Sequence, residues 1–262
     1  MAQAMNVDLI RKYAAPVPRY TSYPTAPHFT PSVSAETYAQ WLRELPENSD
    51  ISLYVHIPFC QSLCWYCGCN TKATRRYEPV ASYLEALNGE IARVSEIVSR
   101  GHRVAHMHWG GGSPSLLRAD DILSLGQSLR QAFGIDADTE FAVEVDPRDC
   151  TDERLDALRA AGVNRVSLGV QDFDDLVQEA IGRKQSFEDT RRVIAGLRAH
   201  GIASVNVDLI YGLPMQTLES VGETVSRLIA LDPDRVAIFG YAPLPQRLRH
   251  QRLIDESTLP DA

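Results

Sequence analysis

Four of the five cysteines fall within ten residues: Cys60, Cys64, Cys67 and Cys69, in the run His56-Ile-Pro-Phe-Cys60-Gln-Ser-Leu-Cys64-Trp-Tyr-Cys67-Gly-Cys69-Asn70. Thiols packed so closely in a cytosolic chain read as metal ligands more readily than as disulfides. The spacing Cys-x3-Cys-x2-Cys lets one loop wrap three thiolates around a 4Fe–4S cubane. With four cysteine ligands such a cubane is coordinatively full; with three, one iron stays open to a ligand. A four-cysteine zinc site is the competing reading. Zinc sites usually pair two knuckles across a longer span, and Cys67 and Cys69 are only two positions apart. Iron–sulfur is therefore favoured over zinc. Cys150 stands alone.

A second candidate is His108-Trp-Gly110-Gly111-Gly112-Ser113-Pro114. Consecutive glycines let backbone approach a ligand with no Cβ in the way. The pattern is not Gly-x-Gly-x-x-Gly, so a dinucleotide fold is a poor reading. Taken alone, three glycines are more readily a flexible turn. Glu144, Gln171, Asp208 and Ala242 stand at the ends of later β-rich runs. Any one of them could be a strand-end cap.

The elements that must position these residues alternate. Short β-rich runs cover 51–57, 104–109, 140–145, 165–170, 204–211 and 235–241. Helical patterns cover 80–99, 119–133, 151–161, 187–200 and 217–231, with apolar residues at three- and four-residue spacing, as in Leu84, Leu87, Ile91 and Val94. Gly162 and Gly201 follow two of them where C-cap glycines are expected. Strand–helix alternation of this kind means parallel βα units. It leaves a partial barrel and an open doubly wound sheet both open. Before the first run the chain is irregular and rich in Pro and Tyr, with one short helix over 34–45.

Composition excludes more than it selects. Hydrophobic content of 44% and charged content of 23% are ordinary for a soluble globular protein, and 262 residues can form one large domain or two small ones. A net charge of −8 lacks the basic footprint of a nucleic-acid binder. No apolar run reaches membrane-spanning length, and the N-terminus has no apolar signal core, so the expected location is the cytoplasm.

The Cys-x3-Cys-x2-Cys loop after the first strand, with Tyr66 before the third cysteine, resembles the radical S-adenosylmethionine (SAM) superfamily. Within it, Cys-Gly-Cys-Asn at 67–70 and the segments RYTSYPTAPHF, YVHIPFC, HWGGGSP, EVDPR, GVQDF, VDLIYGLP and DRVAIFGYA are similar to the oxygen-independent coproporphyrinogen III oxidases. A related haem-delivery branch lacks the fourth cysteine and is the alternative reading. The resemblance implies a partial (β/α)6 barrel of radical SAM type with an irregular N-terminal extension over 1–48, a core over 49–245 and a further segment over 246–262. It implies a 4Fe–4S cluster on Cys60, Cys64 and Cys67, with Cys69 not a ligand, and two SAM molecules. Tyr54, Gly111 and Glu144 would contact the first. Tyr66, Gly112, Ser113, Gln171, Arg183, Asp208 and Ala242 would contact the second.

The implied reaction converts two propionates of coproporphyrinogen III to vinyl groups with loss of CO2. The hydrogen to be removed sits on an unactivated carbon that no side-chain base can deprotonate, so a cofactor-borne radical must take it. Further implied are an external electron donor, no nucleic-acid or membrane partner, and a monomer. Arg19, with Tyr20 and Tyr23, is a candidate for gripping propionates. Family members are longer. A chain of this length is expected to bind cluster and SAM and to cleave SAM without coupling, because lost positioning forfeits effective molarities of about 10⁵–10⁸ M.

Overall fold

The computed structural model describes residues 8, 12, 24–25, 28–98 and 101–261. Arg19, Tyr20 and Tyr23 lie outside the described residues. The chain divides into two compact units, Met1–Glu44 with Asp261–Ala262, and Leu45–Pro260. The first contains helix α1 (Ala35–Arg43), which starts where the Ser34 hydroxyl accepts the Thr37 N–H at 3.1 Å.

The second unit opens with β1 (Asp50–Ile57), a two-residue strand β2 (Phe59–Cys60) and another, β3 (Lys72–Ala73). It continues through α2 (Glu78–Ile97), β4 (Arg103–Gly111), α3 (Ala119–Phe133), β5 (Glu140–Val145) and α4 (Asp152–Ala160). It ends with β6 (Arg165–Gln171), α5 (Asp175–Ala180), α6 (Phe187–Ala199), β7 (Ser204–Tyr211), α7 (Leu218–Ala230) and β8 (Arg235–Gly240). Every expected strand is present, and each expected helix lies within about two residues of its predicted ends. Gly162 and Gly201 sit at φ of 95° and 78°, the left-handed geometry of helix-terminating glycines. The ribbon of β2 and β3 and the short helix α5 were not anticipated. Elements this short carry no readable period.

The six main strands form one sheet in the order β1-β4-β5-β6-β7-β8. Their ladders are all parallel. The order follows the chain, so each crossover steps the same way. Right-handed crossovers then place the helices on one face. A doubly wound sheet reverses direction part-way. This one does not, which decides for the partial barrel.

The two faces differ in chemistry. Towards the helices, Ile57, Met107, Trp109, Phe141, Val143, Val166, Leu168, Val205 and Val207 are all buried, packed on Leu84, Leu125, Leu158, Val193 and Leu228. Each such side chain contributes about 1.5–3 kcal/mol on burial. The alternate positions bear Tyr54, His56, His108, Glu144, Ser167, Asn206 and Asp208. A closed eight-stranded barrel fills its interior with branched apolar residues. Here the helix-free face is polar and free to hold ligands. At the edge strand β8, Val236 and Ile238 remain 44% and 58% exposed.

Candidate functional site

The cysteine loop leaves the carboxyl end of β1 and is tied down along its length. The β2–β3 pairing places Cys60 opposite Ala73, and the Thr74 N–H donates to the Cys60 carbonyl at 2.8 Å. The Trp65 N–H donates to the Ile181 carbonyl at 2.9 Å, and the Cys67 N–H closes a turn onto the Cys64 carbonyl at 3.1 Å. From far along the chain, His250 donates through Nε2 to the Cys67 carbonyl at 2.6 Å, and Gln251 to the Tyr66 carbonyl at 2.9 Å. His56 Nε2 donates to the Asn70 carbonyl at 2.9 Å.

The cysteines are not equivalent. Cys64 is buried, Cys60 and Cys67 are half-buried, and Cys69 is exposed. The Cys64 sulfur accepts from Arg183 at 3.4 Å and Arg148 at 3.6 Å. Burial pushes the Cys60 thiol up to about 11. The hydrogen bond between Cys67 and Cys69, followed by burial, raises Cys67, and the same bond lowers Cys69. Cys150 is 2% exposed, and burial pushes its thiol up to about 12, the profile of an inert core thiol. Among the described residues, no group of three or more Cys, His, Asp or Glu side chains is placed to hold a single metal ion. A cubane does not need that convergence, because each thiolate ligates its own iron.

The glycines at the end of β4 sit against this loop. The Gly112 N–H donates to the Ile57 carbonyl and the Ser113 N–H to the Phe59 carbonyl, both at 2.8 Å. A Cβ on Gly112 would stand 2.5 Å from both the Phe59 carbonyl oxygen and the Thr71 hydroxyl. Gly111 has a φ of 115°, and its Cβ would meet the His56 ring at 2.7 Å. Gly112→Ala is therefore expected to push the β2–β3 ribbon outward, at a cost of about 1–3 kcal/mol. Iron bound after anaerobic reconstitution should fall by more than half, with helical circular dichroism retained. Wild-type iron content would show that the ribbon yields freely.

Strand register brings the expected SAM contacts together at one end of the sheet. Tyr54 lies opposite His108, Glu144 opposite Ser167, and Asp208 opposite Gly169. Glu144 accepts the Gly111 N–H at 3.1 Å and is 3.3 Å from His108 Nε2. Tyr54 stacks on His108, with centroids 5.9 Å apart, and its hydroxyl donates to His56 Nδ1 at 3.0 Å. Asp208 accepts from Ser167 at 2.9 Å and Asn206 at 2.7 Å. Burial raises the Asp208 carboxyl above its ordinary value, against the pull of those two bonds.

Gln171 adopts a φ of 72° at a register slip between β6 and β7. A Cβ on Gly169 would stand 3.0 Å from the Gln171 amide nitrogen and 3.3 Å from the Arg183 guanidinium. Tyr66 packs among Val177, Ile181 and Leu213. Ser113 is buried against Ser115, their hydroxyls 3.0 Å apart. Ala242 is half-buried just beyond β8.

Arg183 is the hub that links loop and sheet. It is 5% exposed and follows Gly182, which lies under the Trp65 indole. It donates to Asp146 at 3.0 Å, Gly169 carbonyl at 2.5 Å and Gln185 at 2.9 Å. Burial alone would raise the Asp146 carboxyl, but Arg183 and Arg148 outweigh that and hold it at about 2. The Arg183 Nε is buried with no partner. A buried orphan donor beside a polar, glycine-lined face suits a ligand carboxylate, and three clustered thiols suit a cubane. The residues present fit both groups.

A model of the radical SAM superfamily matches residues 54–228. The chain belongs to the radical SAM superfamily. Its cofactors are a 4Fe–4S cluster and SAM. The oxygen-independent coproporphyrinogen III oxidase of Bradyrhizobium diazoefficiens is 50% identical over 258 residues, covering 98% of this chain and 57% of that protein. The Paracoccus denitrificans enzyme is 45% identical over 261 residues, covering 100% and 58%. The solved coproporphyrinogen III oxidase of Escherichia coli, described as a radical SAM enzyme, superposes with a TM-score of 0.90 at 43% identity, over 98% of this chain and 57% of that one. This radical SAM chain thus spans under three fifths of those relatives' lengths.

The sequence assigns no role to His56, His108, Asp146, Arg148, His250 and Gln251. The two histidines had a legible signal, since they occupy the same alternate strand positions as Tyr54 and Glu144. His250 and Gln251 had none, because a contact spanning more than 180 positions leaves no local pattern.

Proposed function

We propose that the protein catalyses the oxidative decarboxylation of two propionate side chains of coproporphyrinogen III to vinyl groups, in porphyrin and haem biosynthesis. The likeness to the E. coli coproporphyrinogen III oxidase along 98% of the chain carries this reading. When bound, the reduced cluster and SAM supply a carbon-centred radical able to take hydrogen from an unactivated carbon. Cys60, Cys64 and Cys67 hold the cluster on the pinned loop, and Cys69 stays outside. Tyr54, Gly111 and Glu144 hold a first SAM. Tyr66, Gly112, Ser113, Gln171, Arg183, Asp208 and Ala242 hold a second.

Each residue's surroundings suit its role. Glu144 is oriented by Gly111 and His108, which leaves carboxylate lone pairs for a ligand. Asp208 is aimed by Ser167 and Asn206 and suits ribose hydroxyls. Arg183 offers its free Nε to a carboxylate. The domain plan is an N-terminal extension over 1–48, the radical SAM core over 49–245 and a following segment over 246–262. The protein works as a cytoplasmic monomer with an external electron donor and without nucleic-acid or membrane partners. Among the described residues no helix is long and apolar enough to cross a membrane.

Glu144→Ala and Asp208→Ala are each expected to weaken SAM binding by about 1.5–3 kcal/mol, the range for a hydrogen bond to a charged group, with iron content unchanged. Calorimetric titration of the reconstituted protein reads both. Wild-type affinity in both variants would reject these contacts.

The activity is tested by anaerobic incubation with SAM, dithionite and coproporphyrinogen III, following 5′-deoxyadenosine and vinyl product separately. The proposed reaction requires both in step, whereas the uncoupled cleavage expected from the sequence gives 5′-deoxyadenosine alone. SAM cleavage with coproporphyrinogen III recovered intact would reduce the chain's own activity to uncoupled cleavage. No 5′-deoxyadenosine from cluster-loaded protein would overturn the reading.

A further inference from the structure

On the outer side of the cysteine loop lies a groove of about 470 Å³ that the SAM site does not use. Its walls carry Arg75, Arg76, Arg118 and Arg154. Four guanidiniums on one groove stand out in a chain whose net charge is −8. Two are fixed: Arg118 lies over the Tyr77 ring at 4.0 Å, and Arg154 donates to the Leu116 carbonyl at 3.3 Å and to the Asp149 carbonyl. Arg75 and Arg76 are exposed and form no ion pair among the described residues. The neighbouring Asp121 carboxylate is already taken by the Tyr77 hydroxyl.

The groove touches the cluster loop directly. Gln61 and Ser62, the two residues after Cys60, line it. So does Thr74, whose N–H donates to the Cys60 carbonyl at 2.8 Å. From Thr74 one hydrogen bond, and from Gln61 one peptide bond, leads to Cys60.

We infer that this arginine groove is the docking surface for an acidic one-electron carrier protein that reduces the cluster. The inference rests on the cluster assignment above. One electron leaves the carrier and one enters the cluster, and no bond forms or breaks at the interface. Charge complementarity selects this occupant, since a cationic rim steers an anionic partner to the residue that must receive the electron.

The test uses the reconstituted chain and reduced flavodoxin, an acidic flavoprotein, as the probe. Arg75→Glu/Arg76→Glu is compared with wild type and with Arg191→Glu/Arg227→Glu. The latter pair makes the same net charge change on helices α6 and α7. Cluster reduction by flavodoxin is expected to slow at least tenfold at low ionic strength in the groove variant alone. The gap should close in about 1 M salt, where the screening length falls to about 3 Å. Excess dithionite should give the same reduced-cluster signal in all three proteins. An equal flavodoxin rate in the groove variant, equal slowing in the helix variant, or a wild-type cluster that flavodoxin leaves oxidised would each overturn the docking surface. Failure of the wild-type chain to take up a cluster would instead overturn the cysteine assignment, and the docking surface with it.

Discussion

Cys60→Ser, Cys64→Ser and Cys67→Ser are each expected to lose the iron–sulfur cluster. A serine hydroxyl ionises far less readily than a thiol, and a cubane held by two protein ligands is exposed to chelation and oxygen. Iron and sulfide measured after anaerobic reconstitution should fall from about four of each per chain to near zero. Cys64→Ser should be the most severe, because Cys64 is buried and its sulfur takes hydrogen bonds from both Arg148 and Arg183. Cys69→Ser should keep the full complement, since Cys69 is exposed. Full iron occupancy in any of the first three variants would sink the ligand assignment. Loss of iron in Cys69→Ser would make Cys69 a fourth ligand and leave the cubane coordinatively full.

Asp146→Ala should produce the largest loss of stability. Asp146 is paired with Arg183 at 3.0 Å and Arg148 at 2.6 Å, with side-chain exposures of 12%, 7% and 21%. Removing one partner of such a group leaves buried charge uncompensated and costs about 3–5 kcal/mol. Urea unfolding at neutral pH measures it, and a midpoint within error of wild type would show that water replaces the carboxylate.

The same pairing makes wild-type stability acid-sensitive. Asp146 sits at about 2 in the folded chain against an ordinary 3.8. Its contribution is full above about pH 4 and is lost as pH falls through 2, about 2 kcal/mol in all. Asp146→Asn should flatten the stability profile across that window. An unchanged acid limb would place the sensitivity on other carboxylates.

Much of the fold could be read along the chain because parallel βα units advertise themselves. Runs such as Glu140–Val145 and Ser204–Tyr211 carry a two-residue period, and helices such as Ala119–Phe133 carry apolar residues at helical spacing. The cysteine loop was legible for a different reason. Three thiols at fixed short spacing constrain one another locally, so the pattern survives without any tertiary information. What escaped was whatever depended on pairing at a distance. The β2–β3 ribbon is too short for a period. The Asp146–Arg183 pair joins positions 37 apart.

The sequence by itself determined the order and type of the elements, the candidate ligand triad and the alternation that gives the sheet one apolar and one polar face. These follow from backbone periodicity and side-chain chemistry, which act between near neighbours. Only the tertiary structure decided that the strands run in chain order, so that one face stays free of helices. It also decided that Arg148 and Arg183 both reach the Cys64 sulfur, that His250 and Gln251 reach back to pin the loop, and that four arginines gather beside Cys60. Such contacts join residues that meet only after the apolar face has been buried. Their geometry is set by the packing of the whole sheet, and no local stretch of sequence encodes it.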